Sequence, residues 1–453
     1  MAEPGSTTSA DRADRDDPTA IKILGTCRIA SPVASVLGEK AMHYVGAADK
    51  IVLDHKLSGL VNVMKEGAKP AAFELAGPRN KIFFDPSKTR VGIVTCGGLC
   101  PGINNVIQGL VRELVQGYGV KTIFGFRYGF QGFIAKFKHK VFDLTLESVA
   151  GIHELGGTIL GSSRGHQDPE EIVDCLERMN INMLFVIGGD GTIRGAMSIV
   201  DEIGRRGSKI GVVGIPKTID NDVMYTDKSF GFDSAYSKAV EFIRNAHVEA
   251  KGAPNGVGIV RVMGRHSGFI ACHAALASRD ANYVLIPEVP FKLHGENGFY
   301  NVLKQRLDRR GHAVIVVAEG AGQEHICLQD TQIINKDASG NSKLHDIGLF
   351  LRDSITSHFR EKKWELNLRY IDPSYAIRSV PASPADSIYC WKLSRDAVHG
   401  AMAGNTKMLI SLWHGEFVHI PMEVAVSARK SVDPEGYLWM SVLEATGQPV
   451  QFL

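Results

Sequence analysis

Two carboxylates stand two residues apart in Gly214-Ile215-Pro216-Lys217-Thr218-Ile219-Asp220-Asn221-Asp222, with a lysine three residues before the first. Carboxylates so spaced can take a proton, hold a metal or cap a turn, and the lysine can neutralise them or meet an anion. On extended backbone Asp220 and Asp222 share a face, whereas in a turn they diverge to separate tasks. Upstream, Gly188-Gly189-Asp190-Gly191-Thr192 sets a carboxylate among three glycines. Bare backbone there leaves room for a polyphosphate, and Asp190 offers a hard oxygen to Mg2+. The plainer reading is an Asp cap in a glycine turn.

Other turns carry related chemistry. GGLCPGIN (97–104) opens a helix after a strand, where free N–H groups attract anions. GSSRG (161–165) adds the guanidinium of Arg164, whose fork suits phosphate oxygens. VMGRHSG (262–268) offers Arg265, and AEG (318–320) places Glu319 where a carboxylate suits sugar hydroxyls. RYIDPSYAIRS (369–379) sets Tyr375 and Arg378 three apart, with Arg369 before them; that is a sugar-phosphate clamp or an exposed loop. His266, His273 and His312 have no metal-ligand spacing and read as solvated or core residues. Phosphoryl transfer to a hydroxyl needs a base at the acceptor, Mg2+ on the donor and cations that spread charge. Six such turns together make purely structural roles a poor account of all of them.

The elements that must position these turns are short apolar runs alternating with helical patterns. RVGIVTC (90–96), TIFGF (122–126), NMLFVIGG (182–189), KIGVVGIP (209–216), NGVGIVRVM (255–263), NYVLIPE (282–288) and HAVIVVAEG (312–320) read as buried strands. Helical stretches lie at 102–114, 168–179, 230–251 and 346–362. The 168–179 helix starts well, with Asp168 as N-cap, Pro169 at the first turn and Glu171 closing a capping box. Continuous apolar strands between helices imply parallel sheets covered on both faces. The strands are too many for one compact sheet, so the expectation is an α/β protein of two lobes, with ligands beyond the carboxyl ends of the strands. The expected divisions are a disordered tail (1–18), an appended N-terminal segment (19–88), one lobe over 89–228 returning at about 380–415, a second over 229–379 and a strand-like C-terminal extension (416–453), with the roles of donor lobe and acceptor lobe, in that order, implied only by a family resemblance of the motifs.

Bulk properties narrow the class. The chain has 453 residues, a net charge of +2, 44% apolar and 22% charged residues. These are globular proportions with no nucleic-acid or membrane footprint. The first eighteen residues lack the apolar segment of a secretory signal. Seven cysteines, an odd number in a long chain, argue for free thiols in a reducing, cytoplasmic compartment. Cys96 and Cys100 form a lone C-x3-C without a second pair.

Taken in order, GG-x-x-PG-x-N, GSSRG, GGDGT, P-x-TIDND, MGR and a late Tyr-x-x-Arg resemble the phosphofructokinase family over about residues 90–415. The resemblance implies two Rossmann-like lobes with an active site between them. It implies an allosteric glycolytic kinase that phosphorylates the 1-hydroxyl of fructose 6-phosphate, and a homo-oligomer, tetramer or dimer. By motif, Asp220 is the implied base, with Asp222 supporting the metal or orienting the loop. Arg164 and Lys217 join the catalytic set, and Thr218 and Ile219 lie against the acceptor sugar. Asp190 is the implied Mg2+ residue. Gly97, Arg164, Gly165, Gly189, Asp190, Gly191 and Thr192 are the implied nucleotide and phosphate positions. Met263, Gly264, Arg265, Glu319, Tyr375 and Arg378 match the fructose 6-phosphate positions, and Arg369 matches an arginine reaching over from a neighbouring subunit. Two departures stand out: Gly256 where compact bacterial members carry an intersubunit arginine, and Tyr375 where they carry histidine.

The donor question rests on Gly191 and Lys217. Pyrophosphate-dependent members place Asp at the first position and Lys at the second, so the two positions disagree here. A carboxylate at 191 would repel an ATP α-phosphate, whereas lysine suits any polyphosphate. ATP is therefore the expected donor, with pyrophosphate the alternative and a non-catalytic regulatory subunit a remote one. The long N-terminus and YIDPSYAIR resemble the long-chain ATP-dependent group of trypanosomatids, plants and some bacteria. NAD and lipid kinases share only GGDGT.

Overall fold

The computed structural model describes residues 17–34, 38, 43–327 and 344–453. The expected disordered tail lies outside them up to residue 16. The chain lays down β1 (Lys50–Val52), β2 (Ala72–Leu75), β3 (Arg90–Thr95), β4 (Thr122–Phe126), β5 (Phe142–Asp143), β6 (Met183–Gly188) and β7 (Gly211–Pro216). Four more follow, β8 (Gly256–Val262), β9 (Tyr283–Leu285), β10 (His312–Ala318) and β11 (Asn367–Ile371), before β12 (Met408–Trp413) and β13 (Glu416–Pro421).

These strands build two sheets in two compact units. The first unit is Met1–Lys217, Val223–Ser229 and Ser387–Arg429; the second is Thr218–Asp222, Phe230–Asp386 and Lys430–Leu453. The nine-stranded sheet of the first unit runs β1-β2-β13-β12-β7-β6-β3-β4-β5. Its five consecutive strands β12-β7-β6-β3-β4 are parallel and the strands outside them antiparallel. All six residues of β6 are buried, as are all six of β7, which explains their uninterrupted apolar runs. From β3 the chain turns to β4 on one side and later to β6 on the other. The switch point thus falls between β3 and β6, and ligands of such sheets bind beyond the strand ends there.

The second unit has four parallel strands in the order β9-β10-β8-β11. Its core gathers Ile259, Val317, Phe299, Leu351, Phe359 and Phe452. The core of the first unit gathers Phe126, Leu176, Val186, Val212 and Ile420. Fully burying such side chains contributes about 1.5–3 kcal/mol each.

Three local readings change. The 19–88 segment is not merely appended, since β1 and β2 extend the large sheet through β13. Glu74 on β2 pairs with Arg79, and His419 on β13 stands 3.7 Å from the same carboxylate. The C-terminal extension is not strand-like throughout: β13 is a strand, but Tyr437–Thr446 is a helix. Its buried residues, Trp439 and Val442, lie three apart, and Gly447 ends the helix at φ 66°. Helical period and a left-handed glycine cap outweigh the alternating look of GYLWMSV. In the helix Pro169–Arg178, Asp168 is the N-cap as expected, but its side chain accepts from Glu170 N at 2.9 Å in place of the Glu171 N–H of a capping box.

Candidate active site

In the first unit the turns after β7, β6 and β3 come together. Gly97 sits at φ 86°, the left-handed region that glycine enters freely. Its N–H donates to Ser163 O at 3.0 Å, and its carbonyl accepts from Ser162 Oγ at 2.6 Å. GSSRG is thereby strapped onto the Gly97-Gly98 turn. A Cβ on Gly98 would stand 3.5 Å from Arg164 Nη2, so the guanidinium lies beside bare backbone. Lys217, only 6% exposed, donates from Nζ to Gly98 O at 2.6 Å. Because β6 lies between β7 and β3, this side chain spans the end of β6.

Asp190 is the first residue of the helix Asp190–Arg206. Its Oδ2 accepts from Arg429 Nε at 2.9 Å. Gly191 is exposed, and a Cβ there would meet nothing within 4 Å. Thr192 is buried and its N–H donates to Gly189 O at 2.9 Å. Backbone N–H groups, a helix N-terminus and two basic side chains make this cluster suited to a polyphosphate. Burial pushes the Cys96 thiol up to about 12, so by itself it stays a neutral thiol at neutral pH. Cys27, Cys96, Cys175 and Cys272 carry free thiols; the Cys327 side chain is outside the described set.

In the second unit Thr218–Asp222 folds into a tight turn with Asn221 left-handed at φ 57°. Thr218 Oγ1 donates to Asp222 Oδ1 at 2.7 Å and accepts from Asp220 N at 3.2 Å. The two carboxylates therefore diverge: Asp222 closes the turn, and Asp220 points away from that pairing. Asp220 Oδ2 accepts from Arg265 N at 3.4 Å, whereas Oδ1 is buried without a hydrogen-bond partner. Burial, and then the charges of Asp222 and Glu319, raise the Asp220 carboxyl far above its usual range; the Arg265 N–H and charge act against them. A carboxylate with an unpaired buried oxygen and a raised proton affinity marks a functional-site candidate.

The ends of β8 and β10 hold the partners of Asp220. Glu319 N donates to Val262 O and Gly320 N to Gly264 O, each at 3.0 Å. Gly264 sits at φ 129°, and a Cβ there would collide with Ser267 O, so MGR admits only glycine at its centre. Burial raises the Glu319 carboxyl, while the charges of Arg261, Arg265 and Arg378 pull it back. Glu319, Arg265 and Arg378 thus share one electrostatic neighbourhood with Asp220. Tyr375 is 73% exposed, and the Arg378 guanidinium lies 4.6 Å from its ring centre. Arg369 is exposed in the middle of edge strand β11 and donates only to Leu368 O at 3.3 Å among the described residues. Met263 is half-buried and Ile219 buried.

The structure therefore gathers Gly97, Arg164, Gly165, Gly189, Asp190, Gly191, Thr192 and Lys217 in the first unit. It gathers Thr218, Ile219, Asp220, Asp222, Met263, Gly264, Arg265, Glu319 and Arg378 in the second. Arg369 and Tyr375 stay at the surface. Two residues escaped the sequence reading. Arg429 meets Asp190 across 239 positions, and nothing in its sequence surroundings signals that. Arg261 meets Glu319 across 58 positions, although it stands two residues before Met263 of MGR.

Comparison with known proteins points the same way as the turns. The phosphofructokinase family profile matches residues 90–401. An ATP-dependent 6-phosphofructokinase of Amycolatopsis methanolica is 50% identical over 441 residues, covering 96% of each chain. One of Trypanosoma cruzi is 46% identical over 391 residues, covering 86% of this chain and 79% of that one. Among solved structures, a pyrophosphate-dependent phosphofructokinase from Marinobacter aquaeolei superposes with a TM-score of 0.65 at 19% identity, covering 80% of this chain and 93% of that one. So low an identity speaks for the fold alone. With the family profile spanning most of the sequence and near-full-length relatives at such identity, the chain belongs to the phosphofructokinase family.

Proposed function

We propose that this chain transfers the terminal phosphoryl group of ATP to the 1-hydroxyl of fructose 6-phosphate, giving fructose 1,6-bisphosphate and ADP in cytoplasmic glycolysis. The observation that carries the reading is Asp220, whose buried Oδ1 has no partner and whose carboxyl is raised by burial and by Asp222. Oδ1 takes the 1-hydroxyl proton while that oxygen bonds to phosphorus and the bond from phosphorus to the ADP oxygen breaks. Arg265, Glu319 and Arg378 bind the sugar phosphate, with Thr218 and Asp222 holding the turn in register. Arg164, Lys217 and the glycine backbone hold the polyphosphate, and their positive charge spreads that of the transferring group.

The residues present fit Mg2+. Asp190 is a hard-oxygen ligand in an open glycine turn, and Arg429 engages only its Oδ2. No cluster of three His, Cys, Asp or Glu side chains among the described residues could hold a metal by itself. Asp190 would therefore share the ion with phosphate oxygens, as Mg2+ sites with one protein carboxylate do. When bound, Mg2+ supplies charge neutralisation on the donor phosphates.

ATP is favoured because the relatives named above as ATP-dependent align over nearly the whole chain and because Gly191 leaves open space. Assays with MgATP and with Mg-pyrophosphate at fixed fructose 6-phosphate test this; faster turnover with pyrophosphate overturns the donor. No helix among the described residues is long and apolar enough to cross a membrane. The working form is a homo-oligomer in which exposed Arg369 serves a neighbouring copy; a monomeric mass in solution with full activity would remove that role.

A further inference from the structure

One side chain beside the acceptor residues has no place in the reaction described so far. Arg261 is the penultimate residue of β8, with only 15% of its side chain exposed. Its Nη2 stands 2.5 Å from Asp372 Oδ2 and 3.4 Å from Ser374 Oγ. Its Nη1 stands 3.5 Å from Glu319 Oε2, and its Nε 3.8 Å from Asp346 Oδ2. One guanidinium thus serves three carboxylates from three elements: the end of β10, the N-cap of helix Ile347–Glu361, and the turn after β11.

The three carboxylates do not depend on it equally. Asp346 also accepts from Tyr370 Oη at 2.9 and 3.0 Å and from Leu349 N at 3.0 Å. Asp372 also accepts from Ser374 N at 3.0 Å and Ser374 Oγ at 2.6 Å. The Glu319 carboxylate has no hydrogen-bond donor but Arg261 among the described residues. The Glu319 backbone, by contrast, is fixed twice, through Val262 O and through Gln323 Nε2 at 2.8 Å. Arg261 therefore governs the one part of Glu319 that is left to move, its carboxylate.

We propose that Arg261 is a positioning residue for acceptor recognition: it holds and aims the Glu319 carboxylate, and Asp372 competes for the same guanidinium. The inference rests on the reading of Glu319 as a sugar contact. Around Glu319 stand Arg261 on β8, Arg265 after β8, Asp372 after β11, Arg378 on the helix Ser374–Arg378, and Asp220. Asp346 and Tyr370 face Arg261. With Arg261 gone, half-buried Glu319 keeps a proton to higher pH, because the largest influence on it is burial and the strongest charge opposing that is lost. With Asp372 uncharged, Arg261 has one claimant fewer, and the effect takes the opposite sign.

The test is steady-state kinetics across pH 6–9, varying fructose 6-phosphate and then ATP. Arg261→Met should raise the KM for fructose 6-phosphate about 10-fold near neutral pH, with recovery as the pH rises and with the ATP KM unchanged. Arg261→Lys should restore part of that loss. Asp372→Asn, which keeps the turn to Ser374, should move the KM profile to lower pH instead. Glu319→Gln should raise the same KM without pH dependence, and adding Arg261→Met to it should make it little worse. If Glu319→Gln leaves the KM for fructose 6-phosphate alone, the sugar-contact reading of Glu319 is lost. If it raises that KM while Arg261→Met does not, or does so at every pH without rescue by lysine, the positioning role is overturned. Should Arg261→Met fail to fold, Asp372→Asn decides by itself: an unmoved profile rejects the inference.

Discussion

The turns of the first unit and those of the second solve opposite electrostatic problems. Around Gly97, Gly98 and Asp190 the chain offers bare backbone, a helix N-terminus and the cations Arg164 and Lys217. Around Asp220 and Glu319 it offers half-buried carboxylates with Arg261, Arg265 and Arg378 beside them. A polyphosphate brings its own charge, so its turns need donors and space. A sugar hydroxyl is neutral and reluctant to lose its proton, so its turn needs a base made strong by burial and by like charge. The first set is held by Gly97 N to Ser163 O and Lys217 Nζ to Gly98 O, neither of these contacts being to a carboxylate. The second is held by Thr218 to Asp222 and Arg261 to Glu319, both contacts to carboxylates. Substitutions should accordingly act on different substrates.

The largest effect is expected at Asp220. Asp220→Ser should lower kcat by about 10²–10⁴ and leave both KM values within a small factor; near-normal turnover would end its role as base. The same variant should melt no lower than the parent at pH 8. The folded-state value of Asp220 lies above its ordinary 3.8, so its charge opposes folding as the pH rises from there through the raised value. A lower melting temperature at pH 8 would contradict that sign.

Next comes Gly191→Asp. Gly191 lies in the first turn of its helix with open space around a new Cβ, and an acidic residue suits a helix N-terminus. The variant should therefore fold normally, which makes it a clean probe of charge. ATP-dependent kcat/KM should fall on the order of 100-fold, about 2.7 kcal/mol, with pyrophosphate use far less affected. Equal losses with both donors would remove the α-phosphate argument.

A smaller effect concerns pH. Because Asp220 is raised, kcat/KM for fructose 6-phosphate should climb with pH beyond the range where ordinary carboxylates have already ionised. Burial is the main cause and the Asp222 charge the next. Asp222→Asn keeps an oxygen for Thr218, so it should displace the acid limb to lower pH while lowering the maximum only modestly. An unmoved limb would mean that Asp222 does not act on Asp220 by charge. The smallest effect is expected from Thr218→Val, which removes the hydrogen bonds to Asp222 Oδ1 and from Asp220 N. A loss of about 10-fold in kcat, ~1.4 kcal/mol, should appear with the ATP KM unchanged. A raised ATP KM instead would blur the division between donor and acceptor turns.

Most of this division was legible before folding. Apolar runs such as MLFVIG and HAVIVVA announce buried parallel strands, and the glycine, arginine and aspartate turns stand at their ends. The turn at Asp220 was legible as chemistry but ambiguous as geometry. Only the folded turn, with Asn221 left-handed and separate partners for Asp222 and Asp220, shows that the two carboxylates part company. The GYLWMSV stretch misled because alternation over seven residues does not separate a strand from a short helix. Its glycine cap and the packing of Trp439 decide the matter.

By itself the sequence determined which strands are buried, which turns carry charge and which family those turns belong to, because these depend on residue type and short spacing. The tertiary structure alone decided which charges meet. Arg429 reaches Asp190 over 239 positions and Arg261 reaches Glu319 over 58. Strand order brings such residues together, and partial burial strengthens the Arg261–Glu319 pair. Strand order leaves no local trace in the chain.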